Sequence, residues 1–231
     1  MRLSDAQIEL YSRQIILREI GGTGQSKLLA ARCLVRGGGA AAEMALSYLA
    51  GAGVGSIDLL AGGAAARPAI PLAPLATRCP DTLVRTIGAA ADAALDDYDV
   101  VLGFAADGAR ADLDQLPRGL ARIGSVAVYA ARDGSLSVLL VPRAAGCLAC
   151  VAASGVSAPA LGDRGKTTGA VALAAAGTLA ALACCRWLVG IGDDSAAREL
   201  RLAPGSALWL EDAAARAPSC PRGCPPMGER L

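Results

Sequence analysis

The chain has 231 residues, 54% hydrophobic and 19% charged, which makes it one folded domain with at most small appendages and excludes a disordered tail. Its 22 basic and 21 acidic residues leave a net charge of +1, which removes the bulk electrostatic case for nucleic acid or an anionic membrane surface. There is no histidine, which excludes Ser-His-Asp and Cys-His catalysis and any histidine-ligated metal, and only 3% aromatics, which argues against base-stacking platforms.

The predicted elements begin with a helix over residues 4–20, whose apolar residues recur at helical spacing behind Ser4 or Asp5 as N-cap. Gly21-Gly22 is expected to stop it, and a second helix runs from Gln25 to Ala31. The apolar run Cys33-Leu34-Val35 then ends in Gly37-Gly38-Gly39. An Ala-rich helix follows from Ala40 to Ala52, closed by Gly53 and Gly55, and Ser56 to Leu60 reads as a second strand. Strand, glycine turn, helix, strand is a βαβ unit that opens a parallel sheet. Residues 61–80 are rich in Ala, Gly and Pro and read as loop. Strands are expected at Leu83–Ile87, Asp99–Phe104, Ala121–Tyr129 and Ser135–Val141, the last two joined by an Asp133-Gly134 turn. A long apolar helix spans Thr168 to Val189 and stops at Gly190 and Gly192. Arg198–Leu202 and Ala207–Leu210 read as an antiparallel pair, and a Cys- and Pro-bearing tail follows from Pro218.

The N-terminal residues Met1 to Asp5 carry no apolar signal-peptide core, so a cytoplasmic protein is expected. Eight cysteines are too few for a disulfide scaffold and read as thiols or metal ligands. Thr167 to Cys185 is free of charge and reaches the lower length of a membrane span. Ala and Gly dominate it, so it reads as a buried helix, and no membrane partner is expected.

Three motifs carry chemistry. Gly37-x-Gly39-x-x-Ala42 fits the dinucleotide fingerprint with Ala in its last place: the glycines permit a tight turn and a close approach of phosphate to a helix N-terminus. The same glycines also serve a turn that only lets helix and sheet pack closely. The second strand ends Leu59-Leu60-Ala61-Gly62-Gly63, without the carboxylate that holds a ribose. Cys147-x-x-Cys150 and Cys220-x-x-x-Cys224 suit a structural zinc ion held by four thiolates, which would staple the C-terminal tail to the body. Cys33, Cys184 and Cys185 lie in apolar segments and read as core residues, while Cys79 reads as a free thiol in a Pro-rich loop. Gly165-Lys166-Thr167-Thr168 ends like a P-loop, but Ala160 stands where that motif needs Gly and no strand precedes it.

Taken together, these pieces resemble the adenylyltransferase family of ThiF, MoeB, HesA and the ubiquitin-activating enzymes. The clearest stretch is Tyr11-Ser12-Arg13-Gln14-Ile15-Ile16-Leu17, then Gly21, Gly24-Gln25-x-Lys27-Leu28, Ala31-Arg32, and the glycine turn through to Tyr48-Leu49-Ala50-Gly51-Ala52-Gly53-Val54-Gly55. Tyr98-Asp99-Val100-Val101, the hairpin before Cys147, the helix from Gly169 to Gly192 and both cysteine pairs extend it. The resemblance implies a Rossmann-like α/β fold, with a mainly parallel sheet flanked by helices, antiparallel C-terminal strands and a zinc-stapled tail. It divides one domain over 1–231 into N-terminal helices (1–32), a nucleotide-fold core (33–146) and a zinc-binding C-terminal part (147–231). Members bind Mg-ATP and adenylate the C-terminal carboxylate of a ubiquitin-like or sulfur-carrier protein.

Residue by residue, the chemistry implied by the family is thinned. The first aspartate after the second strand falls on Ala61 and its companion on Gly63. Ala65 to Pro74 replaces the Ser-Asn-x-x-Arg-Gln run, with Arg67 nearby but in a different context. The helix that carries an essential lysine is largely deleted, and no lysine lies between Lys27 and Lys166. The later metal-binding aspartate falls on Ala106, with Asp107 one residue away as a substitute. Arg13 is retained; in the family it reaches across a dimer to the partner's nucleotide, and otherwise it is a helix-surface residue. The expected function is that of a degenerate, non-catalytic or trans-acting subunit, homodimeric or paired with an active homologue, that supports activation of a carrier protein or peptide. The alternative is a working adenylyltransferase that uses Asp107, Arg67, Arg78 or Lys166. A third reading, another nucleotide in the old cleft, is opposed by the missing ribose carboxylate. With no cysteine from Arg164 to Thr168, a thioester step is not expected.

Overall fold

A computed structural model describes residues 2–60, 72–88, 97–104, 124–130, 135–142, 145, 151, 169–192, 195–203, 206 and 209–214. The helices are α1 (Asp5–Leu10), α2 (Ser12–Ile15), α3 (Gly21–Ala30), α4 (Ala40–Gly51), α5 (Leu72–Arg78) and α6 (Ala170–Val189). The strands are β1 (Arg32–Gly37), β2 (Ser56–Leu60), β3 (Leu83–Ile87), β4 (Val100–Phe104), β5 (Gly124–Ala130), β6 (Leu136–Val141), β7 (Ala197–Leu202) and β8 (Trp209–Ala214). They form one eight-stranded mixed sheet in the order β3-β2-β1-β4-β5-β6-β7-β8. The pairings from β3 through β5 are parallel, and those from β5 through β8 are antiparallel. This is the expected α/β sheet with antiparallel C-terminal strands.

The inner strands are buried on both faces, so they read as apolar runs without alternation. Cys33, Val35, Ile57 and Leu59 face the core beneath α4 and α6, while Leu34, Leu60 and Val101 face the other side of the sheet. Small buried residues face the α4–α6 contact: Ala41, Ala42 and Ala45 on α4, and Ala176, Gly177, Ala180 and Ala181 on α6. A Cβ on Gly177 would lie 2.1 Å from the Ala41 carbonyl oxygen, so the two backbones touch there. Among the described residues α6 is the one helix long and apolar enough to cross a membrane. Its inner face is buried as expected, but its outer face leaves Val171 and Leu182 exposed.

The N-terminal region departs from the expected single helix. Ser4 does cap α1, in a capping box with Gln7. The helix then breaks at Tyr11, which turns inward, is buried, and donates its hydroxyl to Asp81 at 3.2 Å. The Gly21-Gly22 pair begins α3 instead of stopping a helix. Gln25 on α3 is fully buried and donates to the Ala52 carbonyl at 3.0 Å. Gly53 completes this lock, because a Cβ there would lie 2.7 Å from the Tyr11 ring.

Two further expectations are corrected. The stretch 61–80 is not all loop, for α5 forms over Leu72–Arg78 and buries Leu75; tertiary burial overrides an Ala- and Pro-rich composition. Two turns thus remain of the helix before β3 that was expected to be largely deleted. The last strand lies at Trp209–Ala214, beyond the expected Ala207–Leu210. Its position is set by pairing with β7, from Trp209 opposite Leu202 to Ala214 opposite Ala197. Because this edge strand is mostly exposed, it carries little apolar alternation to read.

A polar network ties the entry side of the sheet together. Asp58 on β2 is 2% exposed. It accepts two hydrogen bonds from Arg85 of β3, at 2.9 and 3.0 Å, and one from the Tyr98 hydroxyl at 2.7 Å. Arg32 lies 3.6 Å from the same carboxylate and stacks over the Tyr98 ring, its guanidinium carbon 5.1 Å from the ring centre. Burial pushes the Asp58 carboxyl up, but the hydrogen bonds from Arg85 and Tyr98 and the charges of Arg85 and Arg32 outweigh it and hold the group below the usual carboxylate value.

Candidate functional site

The strand order reverses direction between β1 and β4, and in open α/β sheets ligands bind outside the carboxyl ends of strands at such a point. The sequence places its glycine turn here, between β1 and α4. Gly37 (φ 96°) and Gly39 (φ 86°) both occupy the left-handed region that other residues avoid. Their surroundings differ. A Cβ on Gly37 would lie 2.0 Å from the Phe104 carbonyl oxygen of β4, so strand packing as well as the positive φ demands this glycine. A Cβ on Gly39, at the N-terminus of α4, would meet nothing within 4 Å among the described residues. The packing reading therefore holds for Gly37, and the ligand-approach reading remains with Gly39.

Two charged groups flank this turn. Glu43 lies in the first turn of α4, half-buried, where its carboxylate complements the helix dipole. The same charge opposes a phosphate drawn to the free N–H groups of that turn. Arg36, the residue before Gly37, is 8% exposed. It is in register with Leu60 and Gly103 and shares their face of the sheet, opposite α4. Sequence reasoning passed over Arg36. The signal was an arginine inside an otherwise apolar strand that runs straight into a glycine turn.

The remaining expected residues divide into those brought near this turn and those that are not. Arg13 is exposed on α2 and makes no ion pair among the described residues. It follows Tyr11, which packs on Gly53 at the C-terminal end of α4, and α4 is twelve residues long. Arg13 is thus near the opposite end of α4 from the glycine turn, a helix length of roughly 18 Å. Ile8, Leu10, Ile16 and Leu17 around it are also exposed. Lys27 is not at the turn either, since its Nζ donates to the Val189 carbonyl at the end of α6, at 2.8 Å. Arg78 is exposed in the last turn of α5.

Asp107, Arg67, Lys166, Ala61, Gly63, Ala106 and the four cysteines Cys147, Cys150, Cys220 and Cys224 lie outside the described residues, as does the P-loop-like stretch at Gly165. Among the described residues no cluster of three or more acidic or cysteine side chains is placed to hold a metal. Cys33 and Cys184 are core thiols, as expected, with sulfurs 3.7 Å apart. Their mutual hydrogen bond, then burial, pushes the Cys184 thiol well up. Cys79 is a free thiol, as expected, but it is buried beside α5, and burial raises it.

Comparison with known proteins fits this geometry. The ThiF family model matches residues 11–60. The adenylyltransferase and sulfurtransferase MOCS3 of Anopheles gambiae is 52% identical over 59 residues, which are 26% of this chain and 13% of that protein. The molybdopterin-synthase adenylyltransferase of Salmonella typhimurium is 52% identical over 58 residues, 25% of this chain and 23% of that protein. The matched stretch therefore spans less than a quarter of either relative. The fold likeness is broader: a crystal structure of E. coli MccB with ATP superposes with a TM-score of 0.67 at 16% identity, covering 93% of this chain and 74% of that one. Residues 11–60 are thus homologous to the matching stretch of ThiF/MoeB-type adenylyltransferases, and the chain shares the MccB fold.

Proposed function

We propose that this chain is a degenerate member of that group, acting in the cytoplasm as a non-catalytic or trans-acting subunit. It pairs with an active homologue, or with itself, and supports activation of a ubiquitin-like or sulfur-carrier protein or a peptide. The observation that carries this reading is the glycine turn. Gly37 is retained for packing against Phe104, so its survival does not require a nucleotide, and Glu43 sets a carboxylate in the helix turn where phosphate charge would gather. Adenylation needs the opposite: cations and a metal to neutralise the triphosphate while a carboxylate oxygen attacks the α-phosphorus and pyrophosphate leaves. The family's aspartates fall on Ala61, Gly63 and Ala106 here, its arginine run is replaced by Ala65 to Pro74, and no lysine lies between Lys27 and Lys166. Arg13 suits a role in trans, because it is exposed, stands among exposed apolar side chains, and lies far from this chain's own turn.

A second reading, an active adenylyltransferase with displaced residues, is favoured by one observation: Arg36 supplies a buried cation at the carboxyl end of β1, beside the turn. Asp107, Arg67, Arg78 or Lys166 would complete such a site. Zinc belongs to the proposal as well. Ala145 and Val151, which bracket Cys147 and Cys150, are both buried in the body of the fold, and Cys220 follows the end of β8 by six residues. Four thiolates from these two segments would tie the tail to the body.

Titration of the folded protein with Mg-ATP, together with ATP–pyrophosphate exchange, tests the two readings. No binding heat and no exchange by the chain alone is the expected result, and exchange by the purified chain overturns it in favour of the enzyme. In complex with an active homologue, Arg13→Ala is expected to slow the partner's adenylation by about 10³-fold or more, on the scale of an arginine supplied in trans. Unchanged partner activity in an intact complex removes the role in trans.

A further inference from the structure

We propose that the chain carries a second small-molecule site, at the end of α6 remote from the glycine turn, which takes a small carboxylate with an apolar body. A cavity of about 200 Å³ opens there between the last turn of α6 and strands β6 to β8. Its apolar walls include Trp187, Ile191 and Leu200. The Trp187 ring is held by contact with the start of β5, where a Cβ on Gly124 would lie 3.1 Å from the ring. Arg198 and Glu211 both line the cavity and pair with each other at 2.6 Å across β7 and β8. Arg186 lines the same cavity, is exposed, and makes no ion pair or hydrogen bond through its side chain among the described residues.

A cation in the last turn of a helix is ordinarily explained by the helix dipole. That accounts for a positive residue at 186, but not for a tryptophan-walled cavity beside it. A guanidinium at the edge of an apolar hollow offers two parallel N–H donors to a carboxylate, while Trp187, Ile191 and Leu200 accept the rest of the ligand. A dianion such as phosphate would gain the charge but leave the apolar walls empty.

The site is separate from the nucleotide cleft. Gly177 of α6 touches the first turn of α4, beside the glycine turn, and Trp187 lies ten residues further along the helix, roughly 15 Å away at 1.5 Å per residue. The proposal therefore stands whether or not the chain binds ATP.

The test is calorimetric titration of the full chain with phenylacetate, with phenylacetamide as its uncharged counterpart and inorganic phosphate as a bare anion. Saturable phenylacetate binding at millimolar concentration or below is expected, with phenylacetamide and phosphate about tenfold weaker or more. Arg186→Gln, at an exposed position, should weaken phenylacetate about tenfold. Ala196→Phe, at an exposed position on the rim, should close the cavity and abolish binding while leaving the unfolding transition unchanged. No phenylacetate binding up to about 10 mM, equal binding of the amide, or full binding by both variants overturns the proposal.

Discussion

Gly177→Ala is the sharpest test of how the α4–α6 contact holds the site. The added Cβ would lie 2.1 Å from the Ala41 carbonyl oxygen, 2.8 Å from its carbonyl carbon and 3.0 Å from its Cα. Ordinary contact between carbon and oxygen needs about 3.2–3.5 Å, so the helices must part by roughly 1 Å at that point. Backbone atoms of a packed helix cannot swing aside as a long side chain does. Overpacking of this kind costs about 1–3 kcal/mol, and the rigid neighbour places this site toward the upper end. Against it stands the gain of about 1 kcal/mol for Ala over Gly inside a helix. A net loss of about 2 kcal/mol follows.

Gly51→Ala provides the contrast, since a Cβ there meets nothing within 4 Å among the described residues and only the helix-propensity gain applies. Urea unfolding of both variants reads the difference. With a slope near 2 kcal/mol per molar, Gly177→Ala should lower the midpoint by about 1 M, while Gly51→Ala leaves it level or slightly raised. A Gly177→Ala midpoint at or above that of the parent would refute the close backbone contact. Since Ala41 is two residues from Gly39, the same variant should also perturb the glycine turn, whatever that turn binds.

Asp58→Asn removes a carboxylate that accepts from both Arg85 and Tyr98 and should destabilise by about 2–3 kcal/mol in the same assay. The pH dependence has a definite sign. The Asp58 pKa is depressed in the fold, so its stabilisation is full above the unfolded value near 4 and is lost as pH falls below it. The parent should lose stability more steeply than Asp58→Asn between about pH 4 and 2, and parallel curves would exclude this role. The purified chain should hold about one zinc per molecule by elemental analysis, lost in Cys147→Ser or Cys220→Ser; a zinc-free protein prepared with metal present would remove the staple. Alkylation mapped by mass spectrometry under native conditions should spare Cys33 and Cys184, which are fully buried, and Cys185, whose thiol burial pushes to about 12. Rapid native labelling at Cys33 would contradict the packing of β1 under α6.

How far the sequence could be read depended on the range of the interactions that decide each element. β2 and β3 fall on their expected residues, Ser56–Leu60 and Leu83–Ile87, because local apolar runs and flanking turns delimit them. The break at Tyr11 was not legible, for it is fixed by Gly53 and Asp81, 42 and 70 residues away. α5 was hidden for a similar reason, since Leu75 gains its burial from contacts that local composition does not encode. At the site, the glycine turn was legible as a motif. Which of its glycines serves packing could not be read, because that depends on Phe104 on another strand. Arg36 was visible but uninterpreted, as a charge in an apolar strand acquires meaning only once the strand's two faces are known.

The family likeness is concentrated where residues constrain one another. Within the matched stretch 11–60, Tyr11 meets Gly53, Gln25 holds Ala52, and a Cβ on Gly55 would lie 2.0 Å from the Leu29 carbonyl oxygen. Each of these is a contact between the N-terminal helices and the α4–β2 connection, and substitution at any of them brings a clash or removes a packing or hydrogen-bond partner. The match ends at Leu60, one residue before the position where the resemblance places the family's first aspartate after the second strand. Residues that hold a nucleotide border a cleft and touch few protein atoms, as Gly39 does among the described residues, so their replacement leaves the frame standing. Frame and phosphate chemistry are therefore physically separable. A sequence match over the frame establishes descent without establishing turnover, and only a measurement on nucleotide binding by the folded chain connects the two.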